Sequence, residues 1–250
     1  MSLACDLHIE RRGTGPRLLY CNGSGATLRE VRPLLNLLSQ HFDLLAFDYR
    51  GMGLSSPVTE LYTMADVAAD VATVLGDAGW DRTAVVGLSF GGMVAQEFAV
   101  THPERVERLA LLCTSPGGAF SSFPLETLAD LPAEERLARS LQLADRRGTS
   151  EWLTAEAPTQ ETAEQSTGRL LQMQARKGHN VLDRLRNITC PTFVASGRYD
   201  DIAPLVNGQA IADRVPGASL HIYNGGHMFM AQDPTAWPEI IAFLNGEVPS

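Results

Sequence analysis

Thr83-Ala84-Val85-Val86-Gly87-Leu88-Ser89-Phe90-Gly91-Gly92-Met93-Val94-Ala95-Gln96 is the stretch on which the reading of this chain turns. It begins as an apolar β-strand, passes through a serine flanked by glycines, and continues as a helix of small residues. Gly87-Leu88-Ser89-Phe90-Gly91 fits the pattern of a nucleophile elbow, a sharp strand-to-helix turn that exposes a strained serine whose Oγ can attack a carbonyl carbon. Five residues with three fixed positions also describe an ordinary Gly/Ser turn. The elbow reading therefore requires a base, an acid and an oxyanion hole elsewhere in the chain.

Outward from this stretch, apolar runs alternate with helical patterns. Leu3 to Glu10 alternates as an antiparallel edge strand or hairpin, followed by a turn over Arg11–Pro16. Arg17–Cys21 reads as a strand that ends in Asn22-Gly23-Ser24-Gly25, and Leu28, Val31, Leu34, Leu35 and Leu38 mark a helix face. Asp43–Phe47 is the next strand. After it, Thr63 with Asp66 forms a capping box before a helix that Gly79 closes. Val106–Cys113 is nearly continuous in apolar residues, as expected of a strand buried on both faces of a parallel sheet. Such alternation predicts an open α/β sheet flanked by helices.

From Ser115 to about Arg186 the rhythm changes, and 125–131, 133–147 and 159–177 read as helices. These predict a helical cap over residues 115–186, inserted into a core made of 1–114 and 187–250. Strands resume at Pro191–Ser196 and Ser219–Tyr223, and a helix over 234–244 ends the fold.

Sites in open α/β sheets form beyond the carboxyl ends of the strands. Two polar segments stand there late in the chain, Gly197-Arg198-Tyr199-Asp200-Asp201 and Asn224-Gly225-Gly226-His227-Met228. The order Ser89, Asp200, His227 supplies a nucleophile, an acid to orient the base, and the base itself. No carboxylate competes at Thr114-Ser115, and Asp201 is read as solvated.

With these residues in hand, the chain resembles the α/β-hydrolase superfamily over essentially its full length. The resemblance rests on Asp48-Tyr49-Arg50-Gly51-Met52-Gly53-Leu54-Ser55, the elbow, Gly197-Arg198-Tyr199-Asp200 and Gly226-His227. Within it the chain looks most like the branch of 3-oxoadipate enol-lactonases and metal-free haloperoxidase-like esterases. The resemblance implies a mostly parallel sheet with a helical cap, and an oxyanion hole formed by the amides of Phe90 and Ser24. Relatives usually carry His-Gly where this chain has Asn22-Gly23, which leaves the side-chain bonds of that loop to be determined.

Expected function is a serine hydrolase acting on a small carboxylic ester or lactone through an acyl-enzyme. Carbon–carbon hydrolysis of diketone-like acids by the same triad, and a slow-turnover ligand-binding receptor, are the two alternatives. Met228, Phe229, Phe123 and Trp152 are candidate substrate contacts, with Phe120 and Met173 as further apolar residues of the insertion. Arg169, Arg176 and Arg198 are candidates for a substrate carboxylate.

Several classes are excluded. A net charge of −9 with Lys177 as the only lysine gives no basic patch for nucleic acid. No apolar run is long enough to span a membrane, and the start lacks the parts of a signal peptide, so a cytoplasmic protein is expected. The cysteines, Cys5, Cys21, Cys113 and Cys190, form no paired motif and read as small buried thiols, without a metal site. Gly23-Ser24-Gly25 meets Leu28, and Gly51-Met52-Gly53 meets Ser56, where a dinucleotide fingerprint needs glycine. No cofactor is expected. The exposed faces show no heptad pattern, and the sequence leaves a homo-oligomer open.

Overall fold

The computed structural model of the chain describes residues 6–128, 130–148 and 162–247. Its centre is a seven-stranded sheet in the order β1-β3-β2-β4-β5-β6-β7. The strands are β1 (Ile9–Arg12), β2 (Arg17–Cys21), β3 (Asp43–Phe47), β4 (Thr83–Leu88), β5 (Val106–Leu112), β6 (Thr192–Gly197) and β7 (Ser219–Tyr223). Only the β1–β3 pairing is antiparallel.

Why the central strands are apolar at nearly every position follows from the two layers of helix around them. Leu18, Tyr20, Leu44, Ala46, Ala84 and Val86 enter one cluster with α1 (Arg32–Leu38) and α8 (Ala236–Leu244). Their neighbours Leu19, Cys21, Leu45, Phe47 and Val85 enter the other, with α2 (Met64–Asp77) and α3 (Phe90–Thr101). Successive side chains of a strand point to opposite faces, so burial on both removes the polar alternation. Each such aliphatic side chain contributes about 1.5–3 kcal/mol of transfer free energy.

Element boundaries follow local chemistry. β1 runs to Arg12, beyond the expected strand end, because its partner is β3: Arg12 faces Leu44, and the Arg11 guanidinium holds Asp43 at 2.6 and 2.8 Å. α1 begins at Arg32 rather than near Leu28, with Pro33 in its first turn. The Thr63–Asp66 capping box starts α2, and Gly79 at φ 68° follows its end.

Between β5 and β6 the described residues contain no strand. They carry a 3-10 turn at Leu125–Leu128 where a longer helix was expected, then α4 (Ala133–Ala144), α5 (Ala163–Lys177) and a 3-10 turn at Leu182–Asn187. α4 stops three residues short of the expected end because Asp145 turns extended, and α5 starts from a Thr162–Gln165 capping box. Residues 159–161 of the expected third helix lie outside the described residues. Two elements had no counterpart in the sequence reading, α6 (Leu205–Ala212) and the short α7 (Phe229–Gln232). α6 buries Asn207, Gly208, Ala210 and Ile211, so it presents no stripe of large apolar residues.

Candidate active site

Ser89 stands between the end of β4 and the first residue of α3, with φ 54° and ψ −113°. A non-glycine residue there carries strain of order 1–3 kcal/mol, held by surrounding contacts. Those contacts are the Ser89 amide donating to Leu112 O at 2.8 Å and Thr114 Oγ donating to Ser89 O at 2.7 Å. Glycine is needed beside it on steric grounds. A Cβ on Gly91 would overlap the carbonyl of Cys21, and one on Gly87 would overlap that of Gly91. The helix can thus start almost in contact with β2 and β4.

Two loops from the other end of the chain converge on this serine. His227 Nε2 lies 3.0 Å from Ser89 Oγ, and His227 Nδ1 lies 2.8 Å from Asp200 Oδ2. A carboxylate can only accept there, so Nδ1 carries the proton and Nε2 is left to accept from the serine hydroxyl. The other Asp200 oxygen accepts from the amides of Ile202 (2.8 Å) and Ala203 (2.9 Å), which fixes the carboxylate in the plane the imidazole needs. Asp200 is buried, whereas Asp201 turns outward and its half-exposed carboxylate pairs with Arg146 at 3.0 Å. The arrangement can move a proton from Ser89 to His227 as Oγ attacks a carbonyl.

The loop after β2 shows what Asn22 does in place of the usual histidine. Asn22 Oδ1 accepts from Gly23 N at 2.8 Å and from Tyr20 OH at 3.0 Å, while Tyr49 OH donates to Asn22 O at 3.0 Å. Gly25 N donates to Gln172 Oε1 of α5 at 2.7 Å. The amides on either side of Ser24 are thus engaged, while Asn22 Nδ2 and Ser24 Oγ are buried without a hydrogen-bond partner. Phe90 N, at the first position of α3, has no partner within the helix and lies at its positive end. Tyr49 meets the Phe90 ring edge-on at 5.2 Å, tying this loop to the elbow.

The candidate substrate contacts separate. Phe229 is fully buried and stacks on Tyr223 at 4.9 Å, within the core. Met228 is half-buried beside His227, packed on the same cluster. Phe123 is also half-buried and packs against Leu128, Leu143, Ala144 and Ile202, close to the acid loop. Trp152 lies outside the described residues. Among the arginines, Arg198 is exposed, and Arg176 is buried and donates to Ser122 Oγ at 2.7 Å and Phe123 O at 2.9 Å. Burial pushes the Arg176 guanidinium below its ordinary pKa. Arg169 lines a cavity of about 510 Å³ with His8, Glu10, Leu28 and Asp48, on the outer side of the Ser24 loop and away from the triad.

Asn22, Tyr49 and Thr114, polar residues in loops after strands, hold the elbow and the loop after β2, as does Gln172 of α5, which carried no such signal in the sequence. Of the cysteines, Cys21, Cys113 and Cys190 are free and buried, and Cys5 lies outside the described residues.

Comparison with known proteins agrees with this architecture. Residues 16–155 match the family described as alpha/beta hydrolase fold. A poly(3-hydroxyalkanoate) depolymerase of Ectopseudomonas oleovorans is 30% identical over 240 residues, covering 92% of this chain and 84% of its own length. A 2-hydroxy-6-oxononadienedioate/2-hydroxy-6-oxononatrienedioate hydrolase of Cupriavidus pinatubonensis is 27% identical over 274 residues, covering 96% and 90%. The crystal structure of the enol-lactonase from Burkholderia xenovorans LB400 superimposes with a TM-score of 0.80 over 97% of both chains, at 22% identity. The family match over residues 16–155, the depolymerase likeness and the seven-stranded sheet show that this chain belongs to the alpha/beta hydrolase fold family.

Proposed function

We propose that the chain is a serine hydrolase that cleaves a small carboxylic ester or lactone through an acyl-enzyme. The observation that carries this reading is the continuous line from Ser89 Oγ to His227 Nε2 (3.0 Å) and from His227 Nδ1 to Asp200 (2.8 Å), built on a strained elbow. Ser89 Oγ attacks the carbonyl carbon as its proton passes to His227 Nε2. Negative charge on the former carbonyl oxygen is met by the amides of Phe90 and Ser24. Collapse of this intermediate breaks the C–O bond, and the departing alkoxide takes the proton from His227. For a lactone that oxygen stays attached to the acyl chain as a hydroxyl. Water then gives its proton to His227, attacks the acyl carbon and releases the acid, which restores Ser89. Asp200 orients the imidazole and stabilises its cation throughout.

In this reading residues 115–186 form a cap over the site, with Phe123 and Met228 as its apolar contacts to substrate. An ester or lactone substrate has support from the names of the depolymerase and the enol-lactonase. The hydrolase of a dienedioate keeps carbon–carbon cleavage as the second reading. Stopped-flow hydrolysis of a p-nitrophenyl short-chain ester, with a lactone and a diketone acid beside it, tests the proposal. The expected result is an acylation burst with the ester, turnover of ester or lactone, and loss of both in Ser89→Ala. Equal rates in wild type and Ser89→Ala refute the nucleophile. Turnover of the diketone acid alone favours the second reading, and a burst without turnover favours a receptor.

A further inference from the structure

The end of α4 is bound to both loops that carry the triad. Leu143 O accepts from Asp201 N at 2.9 Å, and Ala144 O accepts from His227 N at 2.6 Å. Arg146 N donates to Tyr199 O at 3.1 Å, and its guanidinium reaches Asp201 Oδ1 at 3.0 Å and Arg198 O at 2.7 Å. Four consecutive residues of the insertion, 143–146, thereby address the acid loop and the histidine loop in turn.

The contact from residue 145 passes through a side chain. Asp145 Oδ2 accepts from Gln232 Nε2 at 2.9 Å, and Gln232 Oε1 accepts from Gly226 N at 2.7 Å. Both ends of the Gln232 amide are used, which fixes its orientation. Gly226 has no room for a side chain, since a Cβ would overlap Ala144 O and press on Asp145. Asp145 is only 1% exposed, and a buried carboxylate is costly unless it is paired. Arg147 does so through its amide and Nε (3.0 Å each to Oδ1) and through Nη2 (2.6 Å to Oδ2). Burial alone would raise the Asp145 carboxyl, but the bonds from Arg147 and Gln232 outweigh it and hold the group at about 2.

From this geometry we infer that Asp145 and Gln232 are positioning residues for His227: a carboxylate on the insertion sets the histidine loop through Gln232 and the Gly226 amide. The inference rests on His227 being the base of the proposed hydrolase. It implies that the placement of α4 and the alignment of the imidazole are one structural state, so the insertion acts on the chemistry as well as on access. Arg147 Nη2 and Gln232 Nε2 both donate to Asp145 Oδ2, so a carboxylate in place of the Gln232 amide has no proton to give Asp145, and truncation of Gln232 removes the link to Gly226 N altogether.

The test measures the rate constant for phosphonylation of Ser89 by a fluorophosphonate, together with the low-field proton NMR resonance of His227 Nδ1–H. Gln232→Ala is expected to slow phosphonylation by about 10- to 100-fold and to broaden that resonance. Gln232→Glu, which sets two carboxylates facing, is expected to be at least as slow. With the ester, the loss should fall on kcat with KM little changed. The inference is overturned if Gln232→Ala keeps the wild-type rate and a sharp resonance. It is equally overturned if the loss merely follows the unfolded fraction seen in urea titrations, or if Gln232→Glu reacts at the wild-type rate. Failure of the wild type to react with the fluorophosphonate refutes the hydrolase reading instead, and the resonance in Gln232→Ala then decides the positioning role by itself.

Discussion

The amide of Ser89 donates to the carbonyl of Leu112 on β5 at 2.8 Å, so the serine is still bonded into the sheet at the residue where its backbone has already turned to φ 54°. The proposed nucleophile is fixed by the parallel strand beside it. Cys113, next after Leu112, is the other described non-glycine residue at positive φ, at 41°. Backbone strain is thus concentrated at the carboxyl ends of β4 and β5, where the sheet presents its chemistry.

Asp200→Asn should leave the fold intact and lower kcat for an ester by about 10⁴-fold. An asparagine amide in the same place would donate to Nδ1 and force the imidazole proton onto Nε2, where it cannot accept from Ser89. Steady-state kinetics with circular dichroism checks this. A variant with more than a tenth of wild-type kcat would show that another group orients His227.

Gly91→Ala should destabilise the protein by at least about 3 kcal/mol, because the new methyl overlaps the Cys21 carbonyl, a backbone atom held in the sheet. Urea unfolding measures the change. A variant as stable as wild type would mean that α3 can move away from β2.

Arg50 and Asp70 form a buried pair, with Nε and Nη2 at 2.7 and 2.6 Å from the two carboxylate oxygens. Asp70→Ala leaves that guanidinium without its carboxylate and should cost about 3–5 kcal/mol. The change lies in α2, away from the triad, so kcat per folded molecule should be unchanged. Thermal unfolding and active-site titration separate the two effects.

Burial pulls the His179 imidazole down to about 3. Unfolded, the same ring titrates near 6.5, so between these values the unfolded chain binds a proton that the folded chain refuses. Its contribution to stability is therefore complete above about pH 6.5 and is lost as the pH falls. Between pH 6.5 and 5 the loss should approach about 2 kcal/mol. Urea titrations at pH 7 and pH 5 measure it, and His179→Gln should flatten the dependence. An equally steep dependence in that variant would move the effect to other groups.

Much of the fold is legible from pattern alone. β4 and β5 lie close to where apolar runs predict them, since two-sided burial leaves a mark in each strand's own residues, and β7 matches its run although only Tyr223 in it is buried. The capping box at Thr63 and the glycine at 79 are likewise local signals. α6 was invisible because its inner face is built from Asn207, Gly208 and Ala210 with Ile211 as its one large apolar residue, too little for a periodic signal.

What the sequence by itself determined is the fold family and the order of three candidate residues along it: a serine between glycines after one strand, an aspartate and a histidine after two later ones. Local chemistry sufficed, because an elbow must be flanked by small residues and polar groups must follow strands to reach the same edge. Only the tertiary structure decided which neighbours hold them. It stacked Phe229 on Tyr223 in the core, gave Asn22 the task of bracing its loop, and brought Ala144 and Asp145 onto the histidine loop. The contacts of Ala144 with His227 and of Asp145 with Gln232 join residues 83 and 87 positions apart, and no periodicity or spacing encodes which distant surfaces will meet. That is settled by packing, and here packing ties the triad to the insertion above it.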